Sequence, residues 1–170
     1  ARAERERRRP ARGCSRRRIK RFFDILISGI SILIISPLWL LIILLMKLTM
    51  PGPIFFKQER VGKNFKIFMI FKFRTMKVDK EAEDNFRIEK DQERLTPLGK
   101  LLRRTKIDET PQLINILKGE MSVVGPRPTV PQRVKEFPKG QEIRLAMSPG
   151  LTGISQVSGN VLLSWPRRIY

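Results

Sequence analysis

Twenty-two consecutive residues without a charge, Ile25 to Met46, lie between Asp24 and Lys47. A helix of that length reaches about 33 Å at about 1.5 Å per residue, enough to cross the hydrocarbon core of a bilayer. The run is too long and too apolar for a surface helix of a small domain. It can span a membrane, enter one and turn back, or be buried in a core. A secretory signal peptide fits poorly, because the run exceeds the usual h-region and no small-residue cleavage pattern follows.

Two features bear on that choice. Pro37, after Ser36, sits in the middle of the run. It removes a backbone donor and disfavours helical geometry at the residue before it. The flanks are also basic on both sides, with Arg16, Arg17, Arg18, Lys20 and Arg21 before the run and Lys47, Lys57, Arg60 and Lys63 after it. The positive-inside rule puts both flanks on the cytoplasmic face. A helix that breaks at Ser36-Pro37 and returns on the same side satisfies both observations, with the Ser36 hydroxyl covering a freed carbonyl. A kinked full span and a buried core helix are the alternatives.

The net charge of +19 is unevenly spread, with +9 in residues 1–21. Such an excess calls for anionic partners: phosphorylated substrates, anionic membrane lipids or nucleic acid. By composition the chain divides into a basic, disordered tail over 1–18, an apolar membrane-directed segment over 19–50, with the three topologies above open, and a mixed domain over 51–170. It opens without methionine, which suggests a fragment. One cysteine, Cys14, excludes an internal disulfide and a thiolate zinc site, and the absence of histidine excludes imidazole bases and ligands. Chemistry must come from carboxylates, lysines, arginines, hydroxyls or an oxygen-bound metal.

Beyond the turn at Met50-Pro51-Gly52-Pro53, Ile54-Phe55-Phe56 reads as a short strand. Phe65 to Met76 alternates with period two, with Phe65, Ile67, Met69, Phe71 and Phe73 on one face. Lys72 and Arg74 fall together on the other, as a phosphate-gripping pair or as a solvated edge. Residues 79–94 are charged and mixed in sign, an exposed helix or loop. Thr96-Pro97 starts one amphipathic basic helix. A second begins near Asp108 and stops at Lys118-Gly119. Met121 to Val124 reads as a short strand.

Two places carry chemistry. Asp108-Glu109 at a helix start is commonly a dipole complement and cap. Amid Arg103 and Lys106, Asp108 is expected to stay ionised, fit to attack phosphorus or to bind Mg²⁺ together with Glu109. In Gly125-Pro126-Arg127-Pro128 an arginine is held between two prolines. It is either pre-organised to grip an anion or simply solvated on a stiff loop.

Several strings occur together and in order: Lys20-Arg21-Phe22-Phe23-Asp24, the run broken at Ser36-Pro37, Gln58-Glu59-Arg60-Val61-Gly62, Phe71-Lys72-Phe73-Arg74-Thr75-Met76, Asp108-Glu109, the segment from Gly119 to Pro128, and Pro149-Gly150-Leu151-Thr152-Gly153. In this combination the chain resembles the bacterial sugar transferase family, the small monotopic phosphoglycosyl transferases. The pattern departs at Ile154 and Asn160, where such proteins often carry an aromatic residue and an arginine, and it continues past Tyr170 in the family.

The resemblance implies an α+β, membrane-embedded monotopic protein with a re-entrant N-terminal helix hairpin, amphipathic surface helices and a small sheet. It implies transfer of a sugar-1-phosphate from a UDP-sugar to undecaprenyl phosphate, with release of UMP, at the cytoplasmic face of the bacterial inner membrane. Asp108 would be the nucleophile, through an aspartyl-phosphosugar intermediate. Glu109 would be its partner, Lys72, Arg103 and Arg127 the phosphate-side cations, and Mg²⁺ the cofactor. A homodimer is compatible with this reading. The competing expectation is an inactive, basic membrane scaffold. No zinc, RNA-recognition or helix-turn-helix signature supports a nucleic-acid partner.

Overall fold

The computed structural model describes residues 11–78, 94–134, 137 and 140–157. The expected tail therefore lies partly outside the described residues, as do nearly all of 79–94 and the segment around Asn160.

The apolar run forms one helix, α1 (Ala11–Thr49), which begins well before the expected start of the membrane segment and passes through Pro37 as a single element. Pro37 cannot donate to Leu33 O, four residues back. The Ser36 hydroxyl donates to that carbonyl instead, at 2.8 Å. The hydroxyl expected to cover a freed carbonyl does so.

One stripe of α1 faces the rest of the chain. Asp24, Ser28, Ile42 and Met46 are buried along it, and Ile32, Ile35 and Trp39 are partly covered between them. Steps of three and four residues keep all seven on one side of a helix. Near the start, Asp24 accepts from Ser122 Oγ at 3.0 Å and Val123 N at 2.9 Å, and Arg21 donates to Ile116 O and to Leu117 O, the latter at 2.6 Å. Near the end, Ile42, Met46 and Met50 pack with Phe73 and Leu102. Burying each such side chain contributes about 1.5–3 kcal/mol. The opposite face stays bare, with Leu33, Ile34, Leu40 and Leu48 each about 70% exposed or more. Only 11% of its most apolar window is buried, which removes the core-helix alternative.

Strands β1 (Phe55–Val61) and β2 (Ile67–Phe73) form an antiparallel hairpin, in register from Phe55 opposite Phe73 to Val61 opposite Ile67. The period-two alternation holds along β2 from Ile67 to Ile70. Phe68 and Ile70 are buried while Ile67 and Met69 are exposed. Asn64 and Phe65, at φ 54 and 62, form the turn instead of extending the strand. The inner face packs on α3 (Gln112–Lys118), where Leu113 and Ile116 join Phe68, Ile70 and Met121. Asn115, fully buried, brackets the contact. It accepts from Phe71 N at 3.2 Å and donates to Met69 O at 2.7 Å and Glu120 Oε2 at 2.7 Å.

Helix α2 (Pro97–Thr105) begins as expected, with Thr96 Oγ1 accepting from Gly99 N at 3.0 Å. Helix α3 ends at Gly119, whose φ of 87 favours glycine. Strand β3 (Ser122–Val124) pairs in parallel with β4 (Gly150–Thr152), so the small sheet is two separate two-stranded sheets. A single turn, α4 (Pro131–Val134), lies between these strands, and another, α5 (Ile154–Val157), follows β4.

Gly99 is the tightest backbone approach that positions the site. A methyl group there would overlap the Thr75 carbonyl oxygen. Gly99→Ala should lower stability by about 1–3 kcal/mol, as overpacking does. The thermal midpoint of the detergent-solubilised protein reads this, and an unchanged midpoint would refute the close contact.

Candidate active site

Lys72 sits near the end of β2 on its inner face. Glu109 lies in a single 3-10 turn (Ile107–Glu109) between α2 and α3. The acidic pair was expected at the start of an α-helix; it precedes α3 in its own turn, entered through Lys106 at φ 60. This turn lets Glu109 accept two ion pairs on one oxygen, from Lys72 Nζ at 2.8 Å and Arg127 Nη2 at 3.1 Å. Trp39 of α1 donates to Thr110 Oγ1 at 2.9 Å, next to Glu109, so the apolar helix braces the same turn.

The two cations hold the Glu109 carboxyl down to about 2 despite burial. At Lys72 the balance goes the other way, because burial lowers its pKa more than Glu109 raises it. The pair thus stabilises the carboxylate more than the ammonium. Glu109 contributes stability that is complete above pH about 4.5, its ordinary value, and is lost as pH falls toward 2. That contribution is about 3 kcal/mol, offset in part by the cost of burying Lys72. Glu109→Gln should flatten this acid limb in a pH series of thermal midpoints. An identical limb in the variant would exclude Glu109 as its source.

Asp108 is 8% exposed, and its Oδ1 is buried with no hydrogen-bond partner among the described residues. Burial is the main influence on it and raises its pKa; Lys72, Arg103 and Lys106 pull it back down while Glu109 pushes it up. The surrounding cations therefore do not alone set its charge, as the sequence suggested. They offset a burial that works against ionisation. Arg103 stands nearby, its Nε donating to Thr75 Oγ1 at 2.9 Å.

A small cleft opens beside the ion pairs, and Arg60, Lys72, Glu109 and Arg127 are among the residues that line it. Asp108 adjoins this cluster but does not line the cleft. Of the residues singled out from sequence, Lys72, Glu109 and Arg127 come together, with Asp108 and Arg103 beside them. Arg74 does not join them. It is 5% exposed, and its Nη2 donates to Met50 O at 2.8 Å, so it secures the turn after α1. The expected Lys72–Arg74 grip is absent because Arg74 is held by the Met50 carbonyl, away from the Glu109 ion pairs with Lys72 and Arg127, which exclude it.

Arg60 entered the sequence reading only as a basic flank and a motif residue, yet it lines the cleft. Burial and the neighbouring Arg127 lower its pKa to about 10. The available signal was its place two residues from Gln58 and four from Phe56, which stands opposite Lys72 in the hairpin. Asp108 and Glu109 are the candidate metal ligands. Among the described residues no group of three or more acidic, histidine or cysteine side chains converges. The bare Asp108 Oδ1 fits a Mg²⁺ held by one or two carboxylates and completed by substrate phosphates.

A carboxylate ringed by cations, on a domain docked along a helix long and apolar enough to cross a membrane, is the kind of arrangement found in enzymes that move phosphorylated groups. The chain belongs to the bacterial sugar transferase family, whose model matches residues 15–170. It is 40% identical over 165 residues to the exopolysaccharide production protein ExoY of Rhizobium meliloti (strain 1021), covering 88% of this chain and 73% of that protein. It is 39% identical to the UDP-glucose:undecaprenyl-phosphate glucose-1-phosphate transferase of Escherichia coli (strain K12), over 84% of this chain and 32% of that longer protein. The undecaprenyl-phosphate galactose phosphotransferase of Salmonella typhimurium is 37% identical, over 92% of this chain and 36% of its own length.

Proposed function

We propose that the chain transfers a sugar-1-phosphate from a UDP-sugar to undecaprenyl phosphate and releases UMP. The observation that carries this reading is the convergence of Lys72, Arg127 and Glu109 beside the unpartnered Asp108 oxygen. Phosphoryl transfer depends on positioning and charge neutralisation, which such a cluster supplies without histidine. The Escherichia coli relative, named for a UDP-glucose donor and undecaprenyl phosphate, supports both substrate classes, and the Salmonella relative, named for undecaprenyl phosphate and galactose, supports the acceptor. An inactive scaffold has no such support.

In this mechanism an Asp108 carboxylate oxygen attacks the β-phosphorus of the donor. The bond from that phosphorus to the oxygen of UMP breaks, and UMP leaves with the electron pair. A phosphate oxygen of the lipid then attacks the same phosphorus, and the Asp108 carboxylate is restored. Lys72, Arg60 and Arg127 neutralise the diphosphate, and Arg103 acts from the Asp108 side. Asp108 and Glu109 would hold Mg²⁺, which supplies further neutralisation of phosphate charge.

The membrane helix is read as re-entrant. Arg21 and Asp24 at one end of the apolar run and Met46 at the other dock on the same domain, which supports both ends lying on one side. Leu33 and Ile34, both strongly exposed, adjoin Ser36-Pro37, where the deepest point of such a segment would lie. The basic flanks support the cytoplasmic face of the inner membrane and contact with anionic lipids. The test is UMP release from a panel of UDP-sugars with Mg²⁺ and undecaprenyl phosphate. Release that requires the lipid phosphate for multiple turnovers is expected; none from any donor would overturn the reading.

A further inference from the structure

The segment that follows β2 is tied to the start of α2. Thr96 N donates to Thr75 O at 3.2 Å, and Met76 pairs with Leu95 in an antiparallel bridge. Gly99 of α2 closes on the same Thr75 carbonyl, where a Cβ would clash with it. Thr75 is 6% exposed, so its backbone and side chain have little room to move.

Arg103 follows Gly99 by four residues and rises from the same face of α2. Its Nε donates to Thr75 Oγ1 at 2.9 Å, and its Nη2 donates to Met76 Sδ at 3.6 Å. The residue is exposed, and a long exposed side chain without such contacts samples many rotamers. The two contacts occupy one edge of the guanidinium. Its other N–H groups are left for anionic oxygens, which its planar fork suits. The charge of Arg103 reaches Asp108, whose turn packs against β2. We propose that Thr75 is a positioning residue: its hydroxyl, anchored through Thr96 and Gly99, holds the Arg103 guanidinium in the orientation that meets phosphate oxygens beside Asp108. In this role Thr75 acts only through Arg103. The proposal rests on the reading of the site as a sugar-phosphate transfer centre.

Valine keeps the shape of threonine and loses the hydroxyl, whereas serine keeps the hydroxyl. The experiment compares UMP release by the full chain, Thr75→Val, Thr75→Ser, Arg103→Met and the double variant Thr75→Val, Arg103→Met, with the best donor of the UDP-sugar panel. Thr75→Val should lower kcat/KM about 10-fold, the worth of one hydrogen bond to a charged group. Thr75→Ser should restore the rate of the unaltered chain. In the Arg103→Met background, Thr75→Val should cost nothing further, because the group it positions is gone. A purely structural role would instead impair both backgrounds alike. Full activity in Thr75→Val, a serine variant as impaired as the valine one, or a loss that persists without Arg103 would each overturn the assignment while leaving the reading of the site intact. No UMP release by the unaltered chain from any donor would overturn that reading and the role of Thr75 with it.

Discussion

Asp108→Asn is expected to cut UMP release by on the order of 10⁴-fold or more, because an amide cannot form the acyl-phosphate bond the mechanism requires. The substitution is nearly isosteric. Asp108 lies outside α1, so the bare lipid-facing side of that helix is untouched. The variant should therefore stay with the membrane fraction and keep its thermal midpoint. Turnover at more than a few per cent in the purified variant would defeat the nucleophile assignment. Loss of activity together with loss of membrane association would point to misfolding instead.

Lys72→Met has the second largest expected effect, and it acts twice. It removes a cation from the diphosphate, and it leaves Glu109, 14% exposed, with Arg127 as its one remaining described ion pair. Breaking one arm of a buried pair costs about 3–5 kcal/mol, more than deleting both partners. The activity loss should reach about 10²–10³-fold in kcat/KM, the range seen when a charge-stabilising donor is removed. The double variant Lys72→Met, Glu109→Gln should regain stability without regaining activity. If the double variant is less stable than Lys72→Met alone, the buried pair is not what links these two residues.

These expectations depend on contacts that the sequence revealed unevenly. Local signals were legible. The apolar run, the Thr96-Pro97 start, the Lys118-Gly119 stop and the Ser36 hydroxyl all act through residues at most four positions apart. Among 35 basic and 16 acidic residues, strand alternation, the proline-bracketed arginine and the ordered motifs singled out Lys72, Glu109 and Arg127, which the fold brings together.

Long-range placement was not legible. Alternation along β2 gives two faces but not which one turns inward. That depends on Asn115 of α3 bonding Met69 and Phe71 across 44 to 46 positions. The same cause separates Arg74 from Lys72, since the Met50 carbonyl that captures Arg74 is 24 residues away. Arg60 entered the cleft through hairpin register, which turn geometry fixes rather than composition. The strongest influence on Asp108 was not legible either, because burial, invisible in a list of neighbouring cations, acts against the cations that favour its carboxylate.

The most direct measurement is intact-mass and peptide mass spectrometry of the purified chain mixed with its UDP-sugar and no lipid acceptor. The account predicts a stoichiometric gain of one sugar phosphate on the peptide that carries Asp108, discharged when undecaprenyl phosphate is added. Lipid-linked product made by the same preparation, with no adduct on that peptide under any quench, would contradict it.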